Sequence, residues 1–232
     1  MKNRDLHLDI LKLTIEALGE LKNDMVFLGG STISLYITEP QVVQIRETFD
    51  VDCVVEVSNR TEYEEMAKKL RTRGFIEDIH SKVICRFKKG DLILDVMPTD
   101  PRVLGFTNKW YKAAIKDADE IELNHQMMKI FKPAYLIASK IEAFKGRGKG
   151  SYLTSSDIED IVTVFDGRSN LVMDLLSSPP QVRSELKKEL GLLINDTEFL
   201  NALDAHISER VNTEGRKKII IKRMRDFVEQ CE

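Results

Sequence analysis

The sequence predicts an α+β protein: a mixed β-sheet flanked by helices over residues 1–131, followed by an all-helical domain over residues 132–232. Three observations carry this prediction. Short β-branched apolar runs alternate with amphipathic stretches before Lys132, whereas beyond it the apolar residues recur at the three-and-four spacing of helices. A chain of 232 residues with 42% apolar and 31% charged side chains has the balance of an ordinary globular protein, which excludes extensive disorder and fibrous repeats. One or two domains is the expected number for this length.

The elements follow in order. Leu8, Leu11, Ile15 and Leu18 put one apolar face on a helix over about 5–21. Met25–Leu28 reads as a short strand, Gly29-Gly30-Ser31 as a tight turn, and Ile33, Leu35, Tyr36 and Ile37 as a helix that Pro40 ends. From Thr48 to Val57 the residues alternate, with Asp50, Asp52, Val54 and Glu56 on one side and Phe49, Val51, Cys53, Val55 and Val57 on the other. Thr61–Leu70 predicts a helix with Tyr63, Met66, Ala67 and Leu70 inside, and Gly74 a stop. Lys82–Phe87 and Leu92–Met97 read as a hairpin joined by Lys88-Lys89-Gly90-Asp91. Helices are expected over 133–144, 157–165, 180–193, 197–211 and 216–230. Pro133 suits a first helical position, and Ser156-x-x-Glu159 has the form of a capping box.

A formal charge of -3 supplies no global attraction to nucleic acid or to an anionic membrane, so any such partner needs a local basic patch. Cys53, Cys85 and Cys231 are odd in number and lack C-x-x-C spacing, which argues for a reducing compartment and against zinc. The first helix is broken by His7, Asp9, Lys12 and Glu16, unlike a signal peptide or a membrane span. Together these predict a cytoplasmic protein with no membrane partner.

The chemistry concentrates in three aspartates. Asp50 and Asp52 stand two apart on a strand, so their side chains share a face with Cα atoms roughly 6.5–7 Å apart, and both reach one hard cation. Two carboxylates side by side are costly unless a cation or hydrogen bonds compensate. A solvated surface pair is the simpler reading of such a triplet taken alone. The turn upstream shifts the balance. Gly29 and Gly30 let backbone amides approach an anion, Ser31 adds a hydroxyl, and the helix that follows offers its positive end, all of which suit phosphate. Close backbone packing would explain the glycines equally well. Asp95 lies in the otherwise apolar run Leu92–Met97, where an unpaired charge is expensive. The three acids together would fit two magnesium ions about 3.5–4 Å apart, with manganese as the alternative ion. Asp95 would then accept the proton of the attacking hydroxyl.

Gly29-Gly30-Ser31, then Arg46-x-Thr48-x-Asp50-x-Asp52, then Asp95 resemble the signature of the DNA polymerase beta-like nucleotidyltransferase superfamily. Within it the chain most resembles the AbiEii/AbiGii toxin-like branch, known from abortive-infection and type IV toxin-antitoxin systems. Lys140 and Asp157-x-Glu159-Asp160-Ile161 support that narrower placement. The resemblance runs from about Leu28 to Gly167. It implies a nucleotidyltransferase-type sheet and transfer of a nucleoside monophosphate from a triphosphate to a hydroxyl, with release of pyrophosphate. It implies further that Gly29, Gly30, Ser31, Lys140 and Asp157 bind the nucleotide, that the acceptor is an RNA such as tRNA or a protein, and that a cognate antitoxin is a partner. The alternatives are a catalytically silent nucleotide-binding or interaction module, or transfer to a small molecule of the aminoglycoside kind.

Other residues have simpler readings. Lys140 by itself reads as a snorkelling lysine, and Asp157 and Asp160 as acids favouring a helix dipole. Arg46 pairs with an acid or meets substrate. Lys145, Arg147 and Lys149 form a basic loop that is either solvated or a contact for an RNA backbone or nucleotide phosphates. Arg216, Lys217, Lys218, Lys222, Arg223 and Arg225 form a stripe that is either a charged outer face or an RNA-binding face. His7, His80, His125 and His206 share no ligand spacing. Trp110 and Tyr111 read as anchors of a loop to the core, with stacking on a base as the alternative.

Overall fold

The computed structural model describes residues 2–40, 43–147, 150–207 and 212–231. The chain divides into two compact units. One holds 2–34 and 47–132 and contains the sheet; the other holds 35–46 and 133–232 and is helical. The division is therefore not a single cut, because Leu35–Arg46 leaves the sheet unit and the chain returns to it at Glu47.

In the sheet unit, α1 (Lys2–Leu18) buries Leu11, Ile15 and Leu18 and passes through a 3-10 turn, Gly19–Asp24, into β1 (Met25–Leu28). Next come α2 (Ile33–Tyr36), whose last two residues belong to the helical unit, then β2 (Asp50–Val55), α3 (Arg60–Thr72), β3 (Ile76–Glu77), β4 (Arg86–Lys89) and β5 (Leu92–Pro98). The short helices α4 (Pro101–Leu104) and α5 (Tyr111–Lys116) precede β6 (Asp119–Leu123) and β7 (Gln126–Ile130). Among the described residues these strands make one seven-stranded sheet of order β3-β4-β5-β2-β1-β7-β6. It is mixed, since β2 pairs parallel with β5 and β1 parallel with β7, while the other neighbours are antiparallel. The expected α+β class and mixed sheet are what the chain adopts.

The central strands are packed on both faces. Val51, Cys53, Val54 and Val55 of β2 and Leu94 and Val96 of β5 are all essentially inaccessible, each large apolar side chain contributing about 1.5–3 kcal/mol on burial. α3 docks through Tyr63, Met66, Ala67 and Leu70, the four residues its periodicity selected, and the Tyr63 hydroxyl donates to the Val96 carbonyl at 2.9 Å. Trp110 and Tyr111 are buried, and Tyr111 meets Phe131 edge-on with ring centroids 6.0 Å apart.

Several expectations need correction. The strand expected over 82–87 starts at Arg86 and runs on to Lys89: Gly90, at φ 57, and Asp91 alone make the turn, so both lysines belong to the strand. The strand expected from Thr48 begins at Asp50, and Phe49 is exposed rather than packed. The hairpin β6–β7 turns on Asn124 and His125, both with positive φ, a pair that carries a weaker turn signal than Asn-Gly. Neither β6 nor β7 was expected.

The helical unit comprises α6 (Pro133–Gly146), α7 (Ser156–Gly167), α8 (Leu171–Leu176), α9 (Pro180–Leu193), α10 (Thr197–His206) and α11 (Thr213–Gln230). Pro133 opens α6 as expected. The N-cap of α7 is Ser155, which accepts from the Ile158 amide at 3.3 Å, so Ser156 does not form a capping box with Glu159. The end of the helix expected over 197–211 and two residues of the basic loop, Gly148 and Lys149, lie outside the described residues. Leu35–Arg46 belongs here because it docks on the end of α7. The amides of Thr38 and Glu39 both donate to the Gly167 carbonyl at 2.9 Å, and a Cβ on Gly167 would come within 2.9 Å of Ile37 and Val43.

Candidate active site

Register places the acids. Asp52 on β2 is opposite Leu28 on β1 and level with Asp95 on β5, and Asp95 is opposite Arg86 on β4. Residues level with one another on adjacent strands project from the same face of a sheet, and Asp50, two positions before Asp52, shares that face. Asp50, Asp52, Asp95 and Arg86 are therefore brought together by three neighbouring strands, β2, β5 and β4.

Arg86 binds two of the three acids. Its Nε donates to Asp95 Oδ1 and its Nη2 to Asp95 Oδ2, each at 2.8 Å, and Nη2 also donates to Asp50 Oδ2 at 2.8 Å. Hydrogen bonding to Asp95 raises the Arg86 pKa above its ordinary value, against the opposing effect of burial. The Asp95 side chain is 7% exposed and that of Asp50 33%. Thr48 Oγ1 donates to Asp50 Oδ1 at 2.8 Å.

Asp52 is fixed against the turn. Gly29 has φ 84, and a Cβ built there would fall 1.9 Å from Asp52 Oδ2. Glycine is thus required twice over, by backbone conformation and by the carboxylate that fills its side-chain space. Beyond it Gly30–Thr32 form a 3-10 turn in which Thr32 Oγ1 donates to the Gly29 carbonyl at 2.9 Å. Gly29, Gly30 and Ser31 are buried, and Ser31 Oγ makes no hydrogen bond to the described residues. The helix that follows has only four residues, so its dipole is far smaller than a long helix would supply.

All-oxygen carboxylate donors on one face have the chemistry a hard cation takes. As the side chains stand, no group of three or more His, Cys, Asp or Glu among the described residues forms a ready metal cage, and the cation held by Asp50 and Asp95 is a guanidinium. Directly behind this face, burial, with Asp52 and Asp95 adding, pushes the Cys53 thiol well above its ordinary pKa; burial, with the same acids, pushes Cys85 up to about 12. Both are buried and outside any disulfide, as is Cys231.

Lys140 and Asp157 belong to the helical unit. Lys140 is buried rather than snorkelling: its Nζ lies 2.5 Å from Asp160 Oδ2 and 3.4 Å from Asp157 Oδ1. Arg46 grips the same Asp160 with a fork of 2.9 and 3.1 Å. Burial opposes each charge, yet the partners prevail, so Asp160 is held below the ordinary aspartate value and Lys140 above the ordinary lysine value. Asp157 Oδ2 is 3.1 Å from Arg147 Nη1, at an angle that makes no hydrogen bond. Asp157 also lines a cavity of about 220 Å³ together with Phe144, Arg147 and Ser155.

The C-terminal stripe is largely neutralised within the chain. Arg216 binds Asp166, and Arg223 donates to the Phe165 and Asp166 carbonyls and to Glu39. Lys217, Lys218 and Lys222 pair with Asp204, Glu214 and Asp226. Arg216 and Arg223 are therefore tethers to the end of α7 rather than an open basic face.

No family model matches the chain, and no curated protein matches it in sequence. Two solved structures are loosely similar. An antigenic nucleotidyltransferase-like protein from Paracoccidioides brasiliensis is 18% identical, with 90% of this chain and 95% of that chain covered and a TM-score of 0.45. JHP933 from Helicobacter pylori is 11% identical, with 97% and 93% covered and a TM-score of 0.44. No helix among the described residues is long and apolar enough to cross a membrane.

Proposed function

We propose that this chain is a metal-dependent nucleotidyltransferase that moves a nucleoside monophosphate from a nucleoside triphosphate to a hydroxyl acceptor. The observation that supports it is the gathering of Asp50, Asp52 and Asp95 on one face of β2 and β5, with Asp52 seated on Gly29. Arg86 offsets one of the three negative charges, and the repulsion that is left costs stability unless a further cation joins the cluster.

In this reading Asp50, Asp52 and Asp95 hold magnesium, which when bound supplies charge neutralisation at the α-phosphate. The chain's own groups do the rest. Asp95 takes the proton of the acceptor hydroxyl, and the Gly29-Gly30-Ser31 turn orients the triphosphate through backbone amides and the Ser31 hydroxyl, which lacks a partner among the described residues. A bond forms between the acceptor oxygen and the α-phosphorus, the bond from that phosphorus to the bridging oxygen breaks, and pyrophosphate leaves. Lys140 and Asp157 enter as nucleotide ligands through the family resemblance alone. So do an RNA or protein acceptor, a cognate antitoxin and a role as the toxic half of a toxin-antitoxin pair.

The test is to incubate the chain with each α-labelled nucleoside triphosphate, magnesium and total RNA or cell lysate, beside Asp50→Asn/Asp52→Asn. Label on an acceptor with the native chain and none with the variant is the expected result; equal, background labelling by both removes the enzymatic reading. A catalytically silent nucleotide-binding module is the second reading, favoured by Arg86, which already neutralises part of the acidic cluster. It predicts nucleotide binding without pyrophosphate release.

A further inference from the structure

We propose that Arg86 is a displaceable internal counter-ion: it occupies the cation position between Asp50 and Asp95, and a divalent cation engages both carboxylates only after the guanidinium moves away. This rests on the metal-dependent reading above and adds a residue and an order of events to it.

The contacts are those of a cation holding a binding position. One guanidinium supplies three hydrogen bonds of 2.8 Å, and its Nη2 is shared between Asp50 and Asp95. Charge-assisted forks of this kind are the strongest hydrogen bonds a carboxylate makes. A metal that needs these same oxygens must replace them. Three carboxylates and one guanidinium leave the cluster with a net formal charge of about -2, so a divalent ion is attracted but meets acids already engaged.

Arg86 is also placed to leave. It sits on β4, in the part of the sheet edged by the two-residue strand β3, and its side chain keeps 19% exposure while Asp95 keeps 7%. The acid is fixed and the base retains access to water. What draws it off is a better partner, and planar bidentate recognition of phosphate is the alternative that a guanidinium takes most readily. A nucleoside triphosphate arriving with its cation supplies both halves of the exchange: phosphate oxygens for Arg86 and a divalent ion for Asp50 and Asp95. Cation alone competes with Arg86, and cation with triphosphate does not. The chain thereby resists loading metal, and unproductive chemistry, without nucleotide.

The experiment titrates manganese alone into the full chain and reads free manganese by electron paramagnetic resonance, with no turnover involved. Native chain, Arg86→Gln, Arg86→Lys and Asp52→Asn are compared, each without and with a non-hydrolysable nucleoside triphosphate, and binding by the chain is read as the loss of free manganese beyond that in a protein-free blank holding the same triphosphate. Arg86→Gln is expected to bind manganese at least about tenfold more tightly than the native chain without nucleotide, about 1.4 kcal/mol, and the triphosphate to close most of that gap. Arg86→Lys, which keeps the charge and loses the fork, is expected between the two, and it carries the test if Arg86→Gln does not fold. Equal or weaker manganese binding by the folded variants overturns the proposal. If the native chain still binds manganese through Asp52 in that case, the nucleotidyltransferase reading stands without it. If no form binds manganese even with the triphosphate, both fall together.

Discussion

Arg86 clasps Asp95 with a two-pronged fork, Nε to Oδ1 and Nη2 to Oδ2, across directly opposed positions of the β4–β5 hairpin. The pair is mostly shielded from water, so removing one member leaves the other uncompensated. Arg86→Ala is expected to lower stability by about 2–4 kcal/mol, measured by urea unfolding. Adding Asp95→Asn in the same chain should recover much of the loss, since a neutral amide tolerates burial better than a lone carboxylate. A single variant that unfolds at the native urea midpoint would show that the fork contributes nothing.

Gly29 and Asp52 make a steric prediction. Gly29→Ala places a methyl group 1.9 Å from Asp52 Oδ2 at a backbone φ of 84. The carboxylate must move and the backbone is strained besides, each effect costing about 1–3 kcal/mol. Loss of thermal stability, partly relieved by Asp52→Gly in the same chain, is the expected outcome. Unchanged melting of Gly29→Ala would mean that the turn is not held as described.

The buried network in the helical unit has a pH signature of defined sign. Asp160 is held below its ordinary 3.8, so its contribution is present above that pH and is lost as pH falls through the lowered folded value. Lys140 is held above its ordinary 10.5, so its contribution is present below that pH and is lost as pH rises through the raised folded value. Lys140→Met leaves the interior with an excess carboxylate and should cost about 3–5 kcal/mol at neutral pH. Urea midpoints across the pH range check this: the variant should lose the alkaline decline that belongs to Lys140.

Cys53 and Cys85 should be inert in the folded protein. Both are buried and their thiols are held protonated at neutral pH by burial and by the neighbouring aspartates. With Ellman's reagent they should react only at the rate of unfolding and promptly in guanidinium. Fast reaction of either in the native state would contradict the packing behind β2.

Much of the sheet was legible because burial on one or both faces imposes readable patterns. The α3 face, the β1 and β5 runs and the acidic alternation of β2 all follow from side-chain period. What the period does not contain is register. Arg86 escapes a reading that gives the hairpin connection four residues, Lys88–Asp91; with Gly90-Asp91 as the turn, Lys89 faces Leu92, and counting outward puts Arg86 opposite Asp95. The signal in the sequence is the glycine of Gly90-Asp91, which takes the positive φ that a two-residue turn needs. β6 and β7 were missed because charged residues interrupt β6 and the turn lacks glycine. Lys140 was misjudged for another reason: a lysine amid Ile137, Ile141 and Phe144 snorkels unless acids reach it, and Asp157 and Asp160 come from the next helix, α7, 17 and 20 positions on.

The transfer assay with Asp52→Asn bears most directly on the central claim, that the three carboxylates form one catalytic set. Asp52 lies level with Asp95, and the Arg86 fork is carried by the Asp95 carboxylate, so neutralising Asp52 leaves those two bonds in place. With an α-labelled nucleoside triphosphate, magnesium and the acceptor that the native chain labels, Asp52→Asn should lose transfer by about a thousandfold or more while melting at or above the native temperature. Transfer at the native rate by that folded variant would contradict the account.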